Sequence, residues 1–292
     1  GVCGIMTASN FPLAVPSWKL IPALLCGNTV VWKPSEDAPT IAYLFVRCMM
    51  DAGLPPGVVN VVNGRGQTGC GKSFLAGIDK GWFDAFSFTG STTTGRQVGE
   101  ACGRNLMAPS LALGGKNPMI VMPDANLENA VHGALFGAFA TAGQRCTSTA
   151  NIILHQDITP AFKARFLQAV GALPIGNPLA HEVLYGPMIG ARFAEAFEAH
   201  WEMGRRDGAT LLTGGARWTE ENRDDRVHGD ISRGAFMQPC VWDGVTPEME
   251  LFQTEILGPT VNLCTVEGFE QAMEYANGTP YGLSSAIYTE NR

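Results

Sequence analysis

One cysteine of the sequence, Cys146, stands in a segment whose residue types suit nucleophilic chemistry. Cys146 follows Gly143 and Arg145 in a short polar loop directly after an apolar helical stretch. A thiol in such a loop can be partly exposed, and neighbouring donors can stabilise its thiolate, which is the reactive form. The alternative is a small buried apolar residue, which is the commoner role of an isolated cysteine and our interpretation of the other seven. Residue type alone favours this alternative for Cys146 as well.

Residues 66–73 form a second candidate site, because they match the phosphate-binding pattern Gly-x-x-x-x-Gly-Lys-Ser and follow a predicted strand. A nucleoside triphosphatase also needs an acidic metal ligand at the end of a strand and a residue that orients water. The one candidate ligand, Asp124, is separated from its strand by Pro123, and no glutamate follows it in the required place. A P-loop NTPase is therefore kept only as an alternative.

The composition is that of a globular protein that handles a small molecule. Of the 292 residues, 46% are hydrophobic and 16% are charged, which provides enough apolar chain for a large core or two domains. The formal net charge is −7 and no long run of lysine and arginine occurs, so we expect neither nucleic acid nor a membrane as partner.

The cysteine and histidine patterns argue against a disulfide scaffold and against a metal site. The eight cysteines include no CxxC pair, and the five histidines have no ligand spacing. We therefore expect no bound metal and a reducing, cytoplasmic location.

The elements that must position these residues alternate between strands and helices. Strands are predicted at residues 2–7, 29–33, 58–63 and 85–89, with a helix at 38–52 between the second and the third. A second unit starts after Gly115, with a strand at 119–122 and a helix at 127–142. This order predicts an α/β protein with a doubly wound parallel sheet in residues 1–114 and an α/β second domain in residues 115–292.

Several stretches of the sequence together resemble the aldehyde dehydrogenase superfamily. In order and approximate spacing they are residues 9–12, 32–36, 88–92, 113–117 and 143–147, followed by 255–259 and 277–288. The resemblance covers essentially the whole chain and reverses the interpretation of Cys146, which becomes the expected nucleophile. It also implies that residues 1–114 are an NAD(P)-binding domain incomplete on its N-terminal side. Residues 115–292 would be a catalytic domain incomplete on its C-terminal side.

The resemblance implies oxidation of an aldehyde to a carboxylic acid through a thiohemiacetal and a thioester on Cys146. The side-chain amide of Asn10 and the backbone N–H of Cys146 would form the oxyanion hole. Asn10 precedes Phe11 and Pro12, so it could also cap a helix.

The resemblance further implies a nicotinamide dinucleotide, with NAD expected and NADP as the alternative. A carboxylate at Glu36 favours a free ribose 2′-hydroxyl, whereas the adjacent Lys33 could accept a 2′-phosphate. Without the other motifs, Lys33 and Glu36 would be interpreted as a solvated charge pair. The residues that resemble cofactor contacts are Lys33, Ser35, Glu36, Gly66, Thr89, Gly90, Ser91, Leu113 and Glu255.

Phe11, Val15 and Trp18 repeat at helical spacing, which usually marks a core face. The corresponding stretch of the family lines the aldehyde tunnel, and this implies an apolar or aromatic aldehyde as substrate. Family precedent also implies a homo-oligomer.

The sequence departs from the family where a catalytic glutamate belongs, because Ala112 occupies that position. The separation from the nucleophile, 146 − 112 = 34 positions, agrees with the family, so a shifted alignment does not explain the change. Ala112 cannot activate the water that hydrolyses a thioester, and slow deacylation is expected. An engineered change, a naturally weak enzyme and a coenzyme A-acylating relative all fit this substitution. An inactive remnant that binds dinucleotide or a partner chain is the alternative from another class.

Overall fold

The computed structural model describes residues 1–66 and 68–291. The chain divides into two compact units, Gly1–Gly114 and Gly115–Arg292, and each unit has its own main sheet.

The first unit is a parallel sheet whose strands alternate with helices. Its strands lie in the order β3-β2-β1-β4-β5, and all neighbouring pairs are parallel. The strands are β1 (Val2–Met6), β2 (Thr29–Lys33), β3 (Val59–Val61), β4 (Ala85–Thr89) and β5 (Ser110–Ala112). The helices are α1 (Ala14–Leu25), α2 (Pro39–Asp51), α3 (Cys70–Asp79) and α4 (Thr92–Arg104).

Alternating side chains of β1 show that helices cover both faces of this sheet. Ile5 packs with Leu20 of α1 and Ala42 of α2, whereas Met6 packs in a separate cluster with Phe74 of α3. Successive strand residues point to opposite faces, so the two clusters lie on the two sides of the sheet. The predicted doubly wound α/β fold class is confirmed.

The second unit has a mixed sheet in the order β15-β6-β7-β14-β13-β9, in which only β9 is antiparallel to its neighbour. Two short pairs, β8 with β11 and β10 with β12, lie outside it. The strands are β6 (Asn117–Val121), β7 (Thr149–His155), β8 (Ile175–Gly176), β9 (Thr210–Thr213), β10 (Arg217–Trp218), β11 (Val227–His228), β12 (Phe236–Met237), β13 (Cys240–Asp243), β14 (Thr260–Val266) and β15 (Ala286–Tyr288). The helices are α5 (Leu127–Phe139), α6 (Thr159–Val170), α7 (Ala191–Arg206), α8 (Glu250–Gln253) and α9 (Phe269–Asn277).

The helix predicted at 127–142 is shorter than expected. It ends at Phe139 and continues as a tight turn over Ala140–Gly143. Thr141 and Ala142 have φ angles of 56° and 55° in this turn, a left-handed conformation that an α-helix cannot contain. The apolar periodicity extends past the point where the backbone changes direction, and this explains the wrong boundary.

The stripe of Phe11, Val15 and Trp18 is not a single core face. Val15 is buried, but Trp18 is 68% exposed, and Phe11 precedes α1. Asn10 does not cap α1, because the cap position is Leu13, without a side-chain hydrogen bond. The helix starts later than the Asn-Phe-Pro sequence predicts.

Within the described part of the chain, no helix has the length and apolar character needed to cross a membrane.

Candidate active site

The loop that carries Cys146 connects the tight turn after α5 to strand β7. Gly143 has a φ of 64°, and a Cβ atom at this residue would lie 2.0 Å from the carbonyl oxygen of Gly258. Only glycine fits such a close backbone approach. Arg145 anchors the loop to the end of α5, since its Nη2 donates to the carbonyls of Phe136 (2.6 Å) and Gly137 (3.0 Å). Gly143 and Arg145 therefore set the path of the backbone from the end of α5 to Cys146.

The Cys146 thiol is partly exposed, as expected, but its pKa is raised. Burial is the largest cause, and the charge of Glu255 also raises the pKa. The backbone N–H groups of Cys146 and Thr147 and the guanidinium of Arg145 act in the opposite direction and only reduce the effect. These donors do stabilise the thiolate, but the loss of hydration outweighs them, so the pKa of the thiol stays above its ordinary value. The two N–H groups remain donors for a negative sulfur or oxygen at this position.

Asn117, at the start of β6, holds the Cys146 loop. Its Nδ2 donates to the carbonyls of Cys146 and Ser148, both at 2.8 Å, and its Oδ1 accepts from the N–H of Ser284 at 3.1 Å. No local sequence pattern indicates this role, because these partners are 29, 31 and 167 positions away along the chain.

Glu255 and Lys116 are two ionisable residues beside the same segment, and the charge of each affects the pKa of the other. The N–H of Gly115 donates to Glu255 Oε1 at 3.1 Å. Burial raises the pKa of Glu255, while the Gly115 hydrogen bond and the charge of Lys116 lower it. Lys116 is 2% exposed, and burial lowers its pKa to about 7. Residues 115–117 therefore connect Glu255 to the Cys146 loop, whose carbonyl oxygen at Cys146 lies 2.6 Å from the position of a Cβ on Gly115.

In the first unit, Lys33, Glu36 and Gly66 come together at the end of β2. Lys33 Nζ lies 3.7 Å from Glu36 Oε2 and donates to the carbonyl of Pro34 at 2.9 Å, and Glu36 Oε1 accepts from the N–H of Gly66 at 3.1 Å. Lys33 is only 3% exposed, so a solvated charge pair is the wrong description. Ser35 instead makes a local turn, in which its hydroxyl donates to Asp37 Oδ2 at 3.1 Å.

Thr89, Gly90 and Ser91 connect β4 to α4. Ser91 caps α4, since its Oγ accepts from the N–H of Thr94 at 3.3 Å. Gly90 N–H donates to the carbonyl of Ala112 at 3.2 Å. Thr89 is buried, and its Oγ1 has no hydrogen-bond partner among the described residues. The cap leaves the remaining N–H groups of the first turn of a thirteen-residue helix available to an anion.

Ala112 and Leu113 follow at the end of β5. Ala112 is paired in register with Thr89. A Cβ on Gly95 would lie 2.3 Å from Leu113 Cδ2, so Leu113 packs directly on α4. The methyl group of Ala112 offers no proton acceptor at the position where the resemblance expects one.

Gln67 lies outside the described residues. The rest of residues 66–73 gives little support to the P-loop alternative. The N–H of Gly71 donates to the carbonyl of Arg65 at 3.0 Å, and a Cβ on Gly71 would lie 2.0 Å from the carbonyl oxygen of Gly66. A phosphate-binding loop needs such N–H groups free and pointing to the anion. In this chain the carbonyl oxygens of Arg65 and Gly66 lie where the anion would have to bind. No group of three or more His, Cys, Asp or Glu side chains within 1–66 and 68–291 could hold a metal ion.

Comparison with known proteins shows the relationship directly. The family described as "Aldehyde dehydrogenase family" matches residues 1–292. Alpha-ketoglutaric semialdehyde dehydrogenase of Bacillus subtilis (strain 168) is 38% identical over 292 residues, which are 100% of this chain and 57% of the relative. 2-Hydroxymuconic semialdehyde dehydrogenase of Pseudomonas putida is 38% identical over 291 residues, which are 100% of this chain and 58% of the relative.

A solved structure agrees with these sequence matches. Betaine aldehyde dehydrogenase from Staphylococcus aureus, in complex with NAD+, superposes with a TM-score of 0.92 at 32% identity, over 100% of this chain and 55% of that one. The chain thus spans little more than half the length of the relatives that it matches. The sequence match and the fold lead to one conclusion: this chain belongs to the aldehyde dehydrogenase family.

Proposed function

We propose that this chain oxidises an aldehyde to a carboxylic acid with NAD as cofactor and Cys146 as nucleophile. The observation that carries the proposal is the Cys146 loop, where a partly exposed thiol has the N–H groups of Cys146 and Thr147 directed to it and Asn117 fixes the backbone. A cysteine with converging backbone donors suits addition to a carbonyl group better than it suits a structural role. Residues 115–292 are accordingly proposed as the catalytic domain and residues 1–114 as the cofactor domain.

The proposed chemistry has two stages. The Cys146 thiolate adds to the aldehyde carbon, a C–S bond forms, and the carbonyl oxygen becomes an oxyanion that backbone N–H groups stabilise. Loss of hydride from the thiohemiacetal leaves a thioester on Cys146, and water then releases the acid and restores the thiol. When bound, NAD supplies the hydride acceptor. The resemblance assigns a further oxyanion donor to Asn10, and this role is part of the proposal.

The residues of the first unit fit a dinucleotide. Lys33 and Glu36 place a cation and a carboxylate at the end of β2, and the first turn of α4 behind Ser91 offers N–H groups to a pyrophosphate. The buried Thr89 hydroxyl lacks a protein partner among the described residues and could serve a ligand. Because Glu36 already carries a carboxylate where a ribose is expected, we favour NAD over NADP. In the second unit, Glu255 is proposed to hold the nicotinamide ribose.

The proposed substrate is a small-molecule aldehyde with an apolar or aromatic substituent. The exposed indole of Trp18 is available to line a substrate path, whereas Val15 is buried. Two of the relatives described above are named for semialdehydes, so a second polar group on the substrate is compatible with this fold family.

Ala112 makes slow deacylation part of the proposal. Without a carboxylate at this position the thioester lacks a general base, and loss of such a base typically costs about 10²–10⁴-fold in rate. A second candidate function is that of an inactive remnant that binds dinucleotide or a partner chain. Two observations favour it: the pKa of Cys146 is raised, and residue 112 is an alanine. A chain in which coenzyme A accepts the acyl group is the remaining variant of the enzyme proposal.

The test is intact-protein mass spectrometry combined with absorbance of NADH, after mixing the chain with NAD and a panel of aldehydes. We expect one NADH per chain in a burst, an acyl adduct that Cys146→Ser abolishes, and continuous turnover in Ala112→Glu. Addition of coenzyme A distinguishes the acyl-transferring variant. Rapid steady turnover of the unchanged chain in water alone would contradict impaired deacylation, and absence of both burst and adduct would select the inactive remnant.

A further inference from the structure

The side chain of Asn117 has three hydrogen bonds, and all of them go to loops. Its amide nitrogen donates to the carbonyls of Cys146 and Ser148, and its oxygen accepts from the N–H of Ser284. Asn117 is 4% exposed, so water cannot replace these partners. Both amide hydrogens are used on the loop of the proposed nucleophile, one on the carbonyl of Cys146 itself and one on the carbonyl of Ser148, two residues further on.

The pairing of β6 with β7 is interrupted directly beside Asn117. Between β6 and β7 the register shifts immediately after Asn117: Asn117 is paired with Thr149, but Pro118 is paired with Asn151. One residue of β7 is therefore left over, which defines a β-bulge. Pro118 has no N–H to donate at this point, so the ladder is interrupted there. The residue left over, Ala150, belongs to β7, and Asn117 lies on β6 directly beside this interruption.

We infer that Asn117 is a positioning residue for Cys146, whose carbonyl it holds so that the thiol and the N–H groups of residues 146 and 147 keep a fixed direction. The inference rests on the proposed function for Cys146 and deepens it. Asn117 would act through the backbone of the loop and would not contact substrate. Its effect is therefore on the orientation of the nucleophile and its donors.

A purely structural role for Asn117 is the competing explanation, and the chain contains a matched example. Asn262 of β14 is 1% exposed, and its Nδ2 also donates to two oxygens, Asn151 Oδ1 at 2.7 Å and the carbonyl of Leu251 at 3.0 Å. Loss of either amide leaves buried acceptors without donors, at a similar cost in stability. Of these two asparagines, Asn117 donates to the Cys146 loop and Asn262 does not.

The experiment compares Asn117→Ala with Asn262→Ala in the full chain. Two rates are measured: alkylation of Cys146 by iodoacetamide, followed by peptide mass mapping over a range of pH, and the NADH burst with aldehyde. A released loop is better hydrated, and because burial is the main cause of the raised Cys146 pKa, that pKa falls and alkylation at pH 7 becomes several-fold faster. The burst, which needs an oriented thiol and donors, becomes about 10- to 100-fold slower.

These opposite changes separate positioning from stability. The inference holds if Asn117→Ala shows faster alkylation and a slower burst while Asn262→Ala shows the rates of the unchanged chain. It is overturned if Asn117→Ala lowers only the unfolding midpoint, or if Asn262→Ala changes the two rates equally. Asn117→Ser, which keeps one donor, takes the place of a variant that does not fold. Failure of the burst in the unchanged chain would refute the proposed function, whereas the alkylation rates would still decide the role of Asn117.

Discussion

At the scale of single residues, Lys116 gives the second unit a pH-dependent stability. Burial lowers its pKa to about 7 in the folded chain, whereas an unfolded lysine titrates near its ordinary value of 10.5. Between these values the unfolded chain binds more protons than the folded one, so stability is lost as pH falls from 10.5 towards 7. We expect the free energy of unfolding to rise between pH 7 and 8.5 with a slope approaching about 1.4 kcal/mol per pH unit.

Urea unfolding of the chain and of Lys116→Met at several pH values between 7 and 8.5 measures this slope. Methionine has a similar volume and no charge, so the slope should become smaller in the variant while the shared titrations of other groups cancel. The buried thiols of Cys240 and Cys264 have raised pKa values and act with the opposite sign above pH 9, which is why the range ends below that value. Parallel curves for the two proteins would show that Lys116 does not titrate as described.

At the scale of elements, strands were easier to predict than the contacts between distant loops. Thr29–Lys33 and Ala85–Thr89 agree with the predictions to the residue, because β-branched and aromatic residues are bounded by clear turn signals there. The end of α5 was predicted three residues too late, since the apolar pattern continues through the left-handed turn. The hydrogen bonds from Asn117 to the Cys146 loop had no local sequence signal, because their acceptors are brought close to Asn117 only by the pairing of β6 with β7.

The cap of α4 provides a prediction at the same scale, because it is part of the proposed anion site. Ser91→Ala removes the hydroxyl that accepts from Thr94 N–H, and such a loss costs about 1 kcal/mol of stability. Asn126 caps α5 in the same way, with Oδ1 accepting from Asn129 N–H at 3.0 Å, so Asn126→Ala should cost a similar amount. We expect only Ser91→Ala to weaken NAD binding, measured by titration calorimetry beside the unfolding midpoints. If the two variants bind NAD with equal affinity, the N-terminus of α4 is not part of the proposed site.

At the scale of the whole molecule, each of the two main sheets is bounded by two edge strands. Among the described residues, each edge strand pairs with one neighbouring strand. These strands are β3 and β5 in the first unit and β15 and β9 in the second. Unpaired N–H and C=O groups on an edge invite pairing with another chain. The relatives are nearly twice as long as this chain, so they contain residues for which it has no counterpart. A homo-oligomer is the proposed state, and edge pairing is a physical route to it.

The edge at β15 allows a direct test of that route. Ile287, in the middle of β15, is 48% exposed, and a lysine at an edge position opposes pairing because its charge must then be buried. We expect Ile287→Lys to raise the dissociation constant of self-association, measured by analytical ultracentrifugation over a concentration series, by at least about tenfold, which corresponds to about 1.4 kcal/mol. Leu106 is the matched control, since it is 98% exposed but lies outside the strands, and Leu106→Lys adds the same charge. An equal loss of association in both variants would mean that exposed apolar surface in general, and not the edge of β15, holds the copies together. A loss confined to Ile287→Lys would assign the contact to that edge.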